Sequence, residues 1–192
     1  YYHPEREGVS VLRVINDDYA IGGQGFGKHP HRDMEIISLP LSGKLRHGDD
    51  MGNQGIIEAG EIQVMSAGTG ITHSEMNGDA KEAVKFLQIW VIPHTKNVKP
   101  RYQQLRLADM MQPNEFNQVL SPNPDDAGVW IHQNAWFSLG DLDQGITKTY
   151  PLHDRSNGVY VFVISGQVTI PGRTLPLRYG IGILASARLT MT

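Results

Sequence analysis

His29-Pro30-His31 and His73-Ser74-Glu75 are the residues of this chain best suited to chemistry, because each segment places two strong metal ligands one residue apart. In extended backbone, residues i and i+2 share a face, so each pair can reach a single ion from its own strand. Pro30 cannot donate to a strand ladder and favours extended geometry at His29 before it. Three imidazoles and one carboxylate suit a first-row divalent ion and leave coordination positions for water, substrate or oxygen. A closed structural zinc site would more often use thiolates, and the chain has no cysteine. Any one histidine is more commonly a core or surface side chain than a ligand. It is the pairing, twice, each time framed by glycine turns, that points to a metal. His3, His47, His94 and His132 lie outside these pairs and are expected to be satisfied or solvated.

Strands must position these ligands. Short β-rich runs at 9–15, 35–41, 61–66, 85–92 and 158–164 are separated by turn signals such as Ser42-Gly43, Ala59-Gly60, Asn77-Gly78 and Ser165-Gly166. Many short strands at such spacing predict an all-β barrel or sandwich. Residues 105–111 form the one candidate helix, within a polar stretch from 93 to 123 that lacks strong alternation and reads as a connection. Asp49-Asp50 before Met51-Gly52-Asn53 reads as a hairpin tip, since the ligand spacing of a calcium loop is missing. The glycines from Gly22 to Gly27 precede neither a helix nor a Lys-Ser/Thr pair, so they are expected to bend a strand rather than to cradle phosphate. A Ser-Gly turn between strands recurs at 39–45 and 162–168, which suggests two related β units.

The 192 residues are 40% hydrophobic and 19% charged, with a formal net charge of -3. That balance gives no basic face for nucleic acid; Lys96, Lys99 and Arg101 are the nearest approach to one. No apolar run approaches the roughly 20 residues of a membrane span, and no signal-peptide pattern opens the sequence. Neither nucleic acid nor membrane is therefore expected as a partner, and a cytoplasmic location is the default.

The segment from Gly23 to Gly43 matches the first cupin motif, Gly-x5-His-x-His-x3-Glu followed by a strand and a glycine, and the segment from Gly60 to Asn77 resembles the second. More narrowly, His29-Pro30-His31-Arg32, Glu35, the run from Met65 to Met76 and Leu87-Gln88-Ile89-Trp90-Val91 resemble the pirin family. The resemblance implies a bicupin of two packed jelly-roll-type β-barrels. These would be residues 1–95 with the metal, a connecting segment 96–125, and a metal-free second barrel 126–192. Aligning Gly166 with Gly43 sets Leu152 and Asp154 where His29 and His31 stand, with His153 alone between them. The family pattern places further strands ahead of Tyr1-Tyr2 and after Thr192, so the second barrel is expected to be incomplete.

Carried over residue by residue, the metal ligands fall on His29, His31, His73 and Glu75. General cupins often ligate through a glutamate at the place of Glu35, which is the alternative carboxylate here. The metal implied is one divalent transition ion, usually Fe(2+), with Zn, Ni, Cu, Mn or Co also compatible. Bacterial pirins include quercetin 2,3-dioxygenases, so the resemblance implies a flavonol or other enol substrate and O2, with Glu75 as general base. The alternative, from the eukaryotic side of the family, is a metal- or redox-responsive regulator that binds a protein partner.

Overall fold

The computed structural model describes residues 10–154, 156–183 and 188–192. His3 and the first part of the 9–15 run lie outside them. No helix occurs among the described residues, and the chain is built from β-strands throughout. Residues up to Met110 together with Gln118–Phe137 form one compact unit, and Met111–Asn117 with Ser138–Thr192 form a second.

In the first unit the strands are β1 (Leu12–Ala20), β2 (Gly25–His31), β3 (Glu35–Ser42), β4 (Lys44–Asp49), β5 (Gln54–Glu58), β6 (Glu61–Ser66), β7 (Ile71–Asn77), β8 (Val84–Val91) and β9 (Arg101–Arg106). They pair antiparallel into a five-stranded sheet, β1-β8-β3-β6-β9, and a four-stranded sheet, β2-β7-β4-β5. The alternation of β7 is the clearest: Ile71, His73, Glu75 and Asn77 are buried, and Thr72, Ser74 and Met76 between them are less so. β3 and β8 are buried nearly end to end, as central strands of a sheet covered on both faces.

Directly opposed residues of an antiparallel pair face the same side. Ile36 thus lies with Trp90 and Met65, Ser38 with Gln88 and Gln63, and Pro40 with Phe86. These face the opposite sheet, so the barrel interior is layered. Ile36, Met65, Ala67 and Ile71 close one end, with Met34 and Trp90 against them. Ala20, Leu45, Ile57, Val84 and Phe86 close the other. Between the two apolar ends lies a layer of polar side chains.

Residues 105–111 do not form a helix. Leu105 and Arg106 end β9, and hydrogen bonds from Leu107 N to Gly60 O and from Met110 N to Leu107 O turn the chain after it. Weak alternation in this region misled because β9 is an edge strand with every residue from 101 to 105 half-buried. The segment 96–125 accordingly carries two strands, β9 and β10 (Phe116–Ser121), and β9 extends the first sheet by pairing with β6. β11 (Val129–Trp130) runs parallel to the end of β10.

The second unit holds β12 (Phe137–Gly140) from Ser138 onward, β13 (Lys148–Pro151), β14 (Val159–Phe162), β15 (Gln167–Ile170), β16 (Arg173–Pro176), β17 (Gly180–Ile183) and β18 (Arg188–Met191). β13 pairs with β18, β14 with β17 and β15 with β16, all antiparallel. Val163, Ile170, Leu175, Leu189 and Met191 are its core. Leu152, His153 and Asp154 follow β13 in a bend that Asp154 caps through Ser156, so strand-face alternation does not apply to them.

Candidate metal centre

β2, β7 and β4 lie side by side, and their register assembles the site. His29 stands opposite His73, which stands opposite Asp49; Phe26 stands opposite Glu75, which stands opposite His47. A bulge between Phe26 and His29 shifts β2 so that both histidines meet β7. Gly25 permits the approach, because a Cβ there would lie 2.5 Å from Glu75 O and 2.6 Å from Met76 Cα. The β6–β7 connection is equally constrained. Gly68 has φ +45°, and a Cβ would fall 2.0 Å from Val98 O.

The imidazoles of His29, His31 and His73 form one cluster, with ring centroids 4.8, 4.5 and 5.0 Å apart for the three pairs 29–31, 29–73 and 31–73. His29 Nδ1 lies 2.7 Å from Gly27 O, a carbonyl that can only accept, so Nδ1 carries the proton and Nε2 presents a lone pair. That Nε2 is 3.1 Å from His73 Nε2. His31 Nε2 is buried without a hydrogen-bond partner, beside the Trp90 ring at 5.0 Å. Burial, and then the neighbouring His29, lowers His31 to about 4. Burial, followed by His29, His31 and His47, lowers His73 to about 3. At neutral pH these rings are therefore neutral, the form that ligates metals. Three histidines that offer ligand nitrogens within 4.8 Å of one another, with His31 Nε2 unpartnered and the other two Nε2 atoms meeting only each other, fit a divalent ion.

Glu75 has no exposed surface. Ser38 donates to one carboxylate oxygen at 2.5 Å and the Gln88 amide donates to the other. Trp90 Nε1 holds Gln88 in turn, at 3.3 Å from its Oε1. Burial raises the Glu75 carboxyl above its ordinary range, against the opposing effect of these donors and of His47. Its carboxylate groups with His73 and His47, again within 4.8 Å, rather than with all three histidines of the first cluster. His73 belongs to both sets and links them.

Glu35 is buried on the opposite face of β3 from Ser38, where Ser66 donates to it at 2.6 Å. Burial raises its pKa and the Arg101 charge draws it back. It shares no ligand group with the histidines.

His47 corrects the sequence reading. Expected to be satisfied or solvated, it is 1% exposed and lies in the polar layer, with Nε2 3.0 Å from Asp49 Oδ2 and Nδ1 unpartnered. Its signal was available in the sequence, since His47-Gly48-Asp49 repeats the i, i+2 spacing of the other pairs. Asp49 also caps the β4–β5 turn, accepting from Met51 N at 3.0 Å and Asn53 N at 2.9 Å, as the hairpin-tip reading anticipated. His94 is exposed against Thr95, and His132 packs on Trp130.

Residues 1–91 match the pirin family model, and residues 118–192 match that of the quercetinase C-terminal cupin domain. A quercetin 2,3-dioxygenase of Escherichia coli O157:H7 is 42% identical over 187 residues, covering 95% of this chain and 78% of that protein. Its counterpart in strain K12 is 43% identical over 176 residues, covering 90% and 73%. Among solved structures, YhhW from Escherichia coli superposes with a TM-score of 0.93 at 38% identity, over 100% of this chain and 80% of that one. The same bacterial pirin in complex with nickel(II) gives 0.92 over 100% and 81%. By sequence and by fold, this chain belongs to the pirin family.

Proposed function

We propose that the chain is a metal-dependent dioxygenase that opens the heterocycle of a flavonol such as quercetin with O2. Its metal ligands would be His29, His31, His73 and Glu75, with Glu75 also serving as general base. The observation that carries this reading is the convergence of the His29 and His73 Nε2 atoms at 3.1 Å beside the unpartnered His31 Nε2. The names of the relatives, at 42–43% identity, supply the reaction class. The nickel(II) complex of YhhW supports a divalent transition metal. Fe(2+) is the ion proposed here, because an oxygen-using reaction suits a redox-active metal, although such donors accept most of the first-row series.

When bound, the ion would supply Lewis-acid activation of an enol oxygen. The chain supplies the rest. Neutral imidazoles hold the ion without competing protons. Ser38 and Gln88 fix the Glu75 carboxylate, and burial makes it proton-avid, as a base acting on an enol hydroxyl needs. The Trp90 ring, edge-on to His31 with centroids 5.0 Å apart, gives that ligand an apolar flank against which a flat polyphenol could rest.

The test is anaerobic reconstitution with Fe(II), followed by quercetin and oxygen, tracking loss of flavonol absorbance and release of carbon monoxide. Turnover should require metal and vanish in His73→Ala, and Glu75→Gln should lower the rate more than the metal content. One bound metal per chain without turnover would refute the dioxygenase. Equal metal content in His73→Ala and wild type would refute the site.

A further inference from the structure

His73 has a second nitrogen to account for. If Nε2 serves the ion, as in the reading above on which this inference rests, the neutral ring must carry its proton on Nδ1. A ligating histidine ordinarily donates that proton to an acceptor, which fixes the tautomer and turns the ring toward the metal. His73 Nδ1 is buried and has no partner. A buried donor left alone is costly, and a buried imidazole N–H beside a cation more so.

His47 has the complementary deficit. Its Nε2 lies 3.0 Å from Asp49 Oδ2, a carboxylate that already accepts from Met51 N, Asn53 N and Asn53 Nδ2. A carboxylate so held is ionised. Burial works against that, but the hydrogen bonds from His47 and Asn53 outweigh it and keep Asp49 below its ordinary range. An ionised carboxylate can only accept, so His47 Nε2 must be the donor. In neutral His47 the proton is then on Nε2 and Nδ1 is a lone pair. That lone pair is also buried and unpartnered.

The two rings are neighbours, with centroids 5.5 Å apart and planes inclined by 51°. The His47 ring also packs on that of Tyr102, with centroids 4.8 Å apart. Neither Nδ1 atom reaches a partner as the rings stand, so the bond between them is one that the rings must turn to make.

We propose that His47 is the positioning residue of the metal centre: anchored by Asp49, it accepts the Nδ1 proton of His73 and so presents His73 Nε2 to the ion. The chain Asp49–His47–His73 sets donor and acceptor at each step. No group in it changes charge when the ion binds.

The test uses two substitutions whose order separates this role from mere packing. His47→Asn keeps an acceptor near the place of Nδ1 but loses volume against Tyr102. His47→Leu keeps more of the volume and loses the acceptor. Affinity for Zn(II) is read by competition with a chromophoric chelator, on proteins shown to be folded by near-UV circular dichroism. Removing such an outer partner typically weakens a metal site about 10–100-fold. His47→Leu should show that loss, with His47→Asn within a few-fold of wild type. Equal affinities, or Leu tighter than Asn, would overturn the proposal. Should neither variant fold, the wild type decides. In Zn-loaded protein labelled with 15N-histidine, a coupling across the hydrogen bond between His73 Nδ1 and His47 Nδ1 is expected. Protonation of His47 on both nitrogens, or a metal shift on His47 itself, would overturn it. Wild type that binds no Zn(II) would fail the metal site as a whole, which is a different result from a bound ion indifferent to His47.

Discussion

Replacing Glu75 by Gln should change how the metal-free protein responds to acid, and the sign follows from four groups shifted by burial. His31 and His73 are lowered from 6.5 to about 4 and about 3. Between pH 4.5 and 6.5 the unfolded chain binds protons at both while the native state does not, so their contribution to stability rises with pH. Glu75 and Glu35 are raised above 4.5. Below their native values the folded protein holds protons that the unfolded chain has released, so their contribution is full at low pH and is lost as pH rises through those values. Two groups push each way, so the carboxyls reduce the rise of stability with pH that the two histidines would give alone.

Glu75→Gln removes that raised carboxyl and leaves the other three groups in place, so the variant's stability should climb more steeply with pH than wild type's, by at most the roughly 1.4 kcal/mol per pH unit of one whole proton. Comparing variant with wild type cancels His31, whose half-exposed ring is screened and contributes less than its shift implies. Gln can still meet Ser38 and Gln88, which keeps the fold comparable. Urea titrations in the presence of a chelator at pH 6 and pH 5 are the assay. With a slope of about 2–3 kcal/mol per molar urea, the variant's midpoint should fall further than that of wild type, by up to about half a molar. Parallel shifts in the two proteins would refute the reasoning, because they would mean that Glu75 is already ionised without metal.

Phe86, with no exposed surface among Ala20, Leu45, Ile57 and Val84, closes the apolar end of the barrel. Phe86→Ala should cost about 3–5 kcal/mol and lower the melting temperature by about 10 °C; a change below 3 °C would mean that this end is not tightly packed. Gly25→Ala sets a Cβ against the backbone at Glu75 and Met76, which cannot yield as a flexible side chain would. β2 must then move from β7, carrying His29 away from His73, and metal affinity measured by chelator competition should fall about tenfold or more. Unchanged affinity would show that the pair does not depend on this close approach.

How far the sequence foretold the site depended on whether each feature was local. His29-Pro30-His31 and His73-Ser74-Glu75 were legible because strand periodicity alone sets i and i+2 on one face, and β2 and β7 are strands. The all-β class was legible for the same reason. What failed was non-local. His47-Gly48-Asp49 carries the same local spacing as the other pairs, but nothing near it in sequence shows that β4 lies beside β7, with His47 opposite Glu75. β9 was read as part of a connection, with a candidate helix at 105–111 overlapping only its last two residues, because an edge strand half-buried along most of its length shows no alternation. Glu35 and Glu75 were both open as ligands. What separates them is which face of β3 or β7 looks into the barrel, and that requires the sheets to be paired.

The layered interior explains why so polar a set of groups is tolerated. Gln88, Ser38 and Gln63 form a row on one sheet. Glu75 and His47 oppose each other on the facing sheet. Ser38 and Gln88 spend their donors on Glu75, whereas the Gln63 amide has no partner at either atom. Such a layer lowers stability, since a lone buried amide costs about 1–3 kcal/mol where an apolar side chain would cost nothing. The apolar ends above and below it are fully packed, with Phe86, Ile36 and Met65 all at most 1% exposed. Folding is thus carried by the two ends, which leaves the middle layer free to be arranged for a cation. A barrel selected for stability alone would fill that layer with Leu and Val. The five-stranded sheet thus takes part in the polar layer through Ser38 and Gln88, which hold Glu75 of the facing sheet in place.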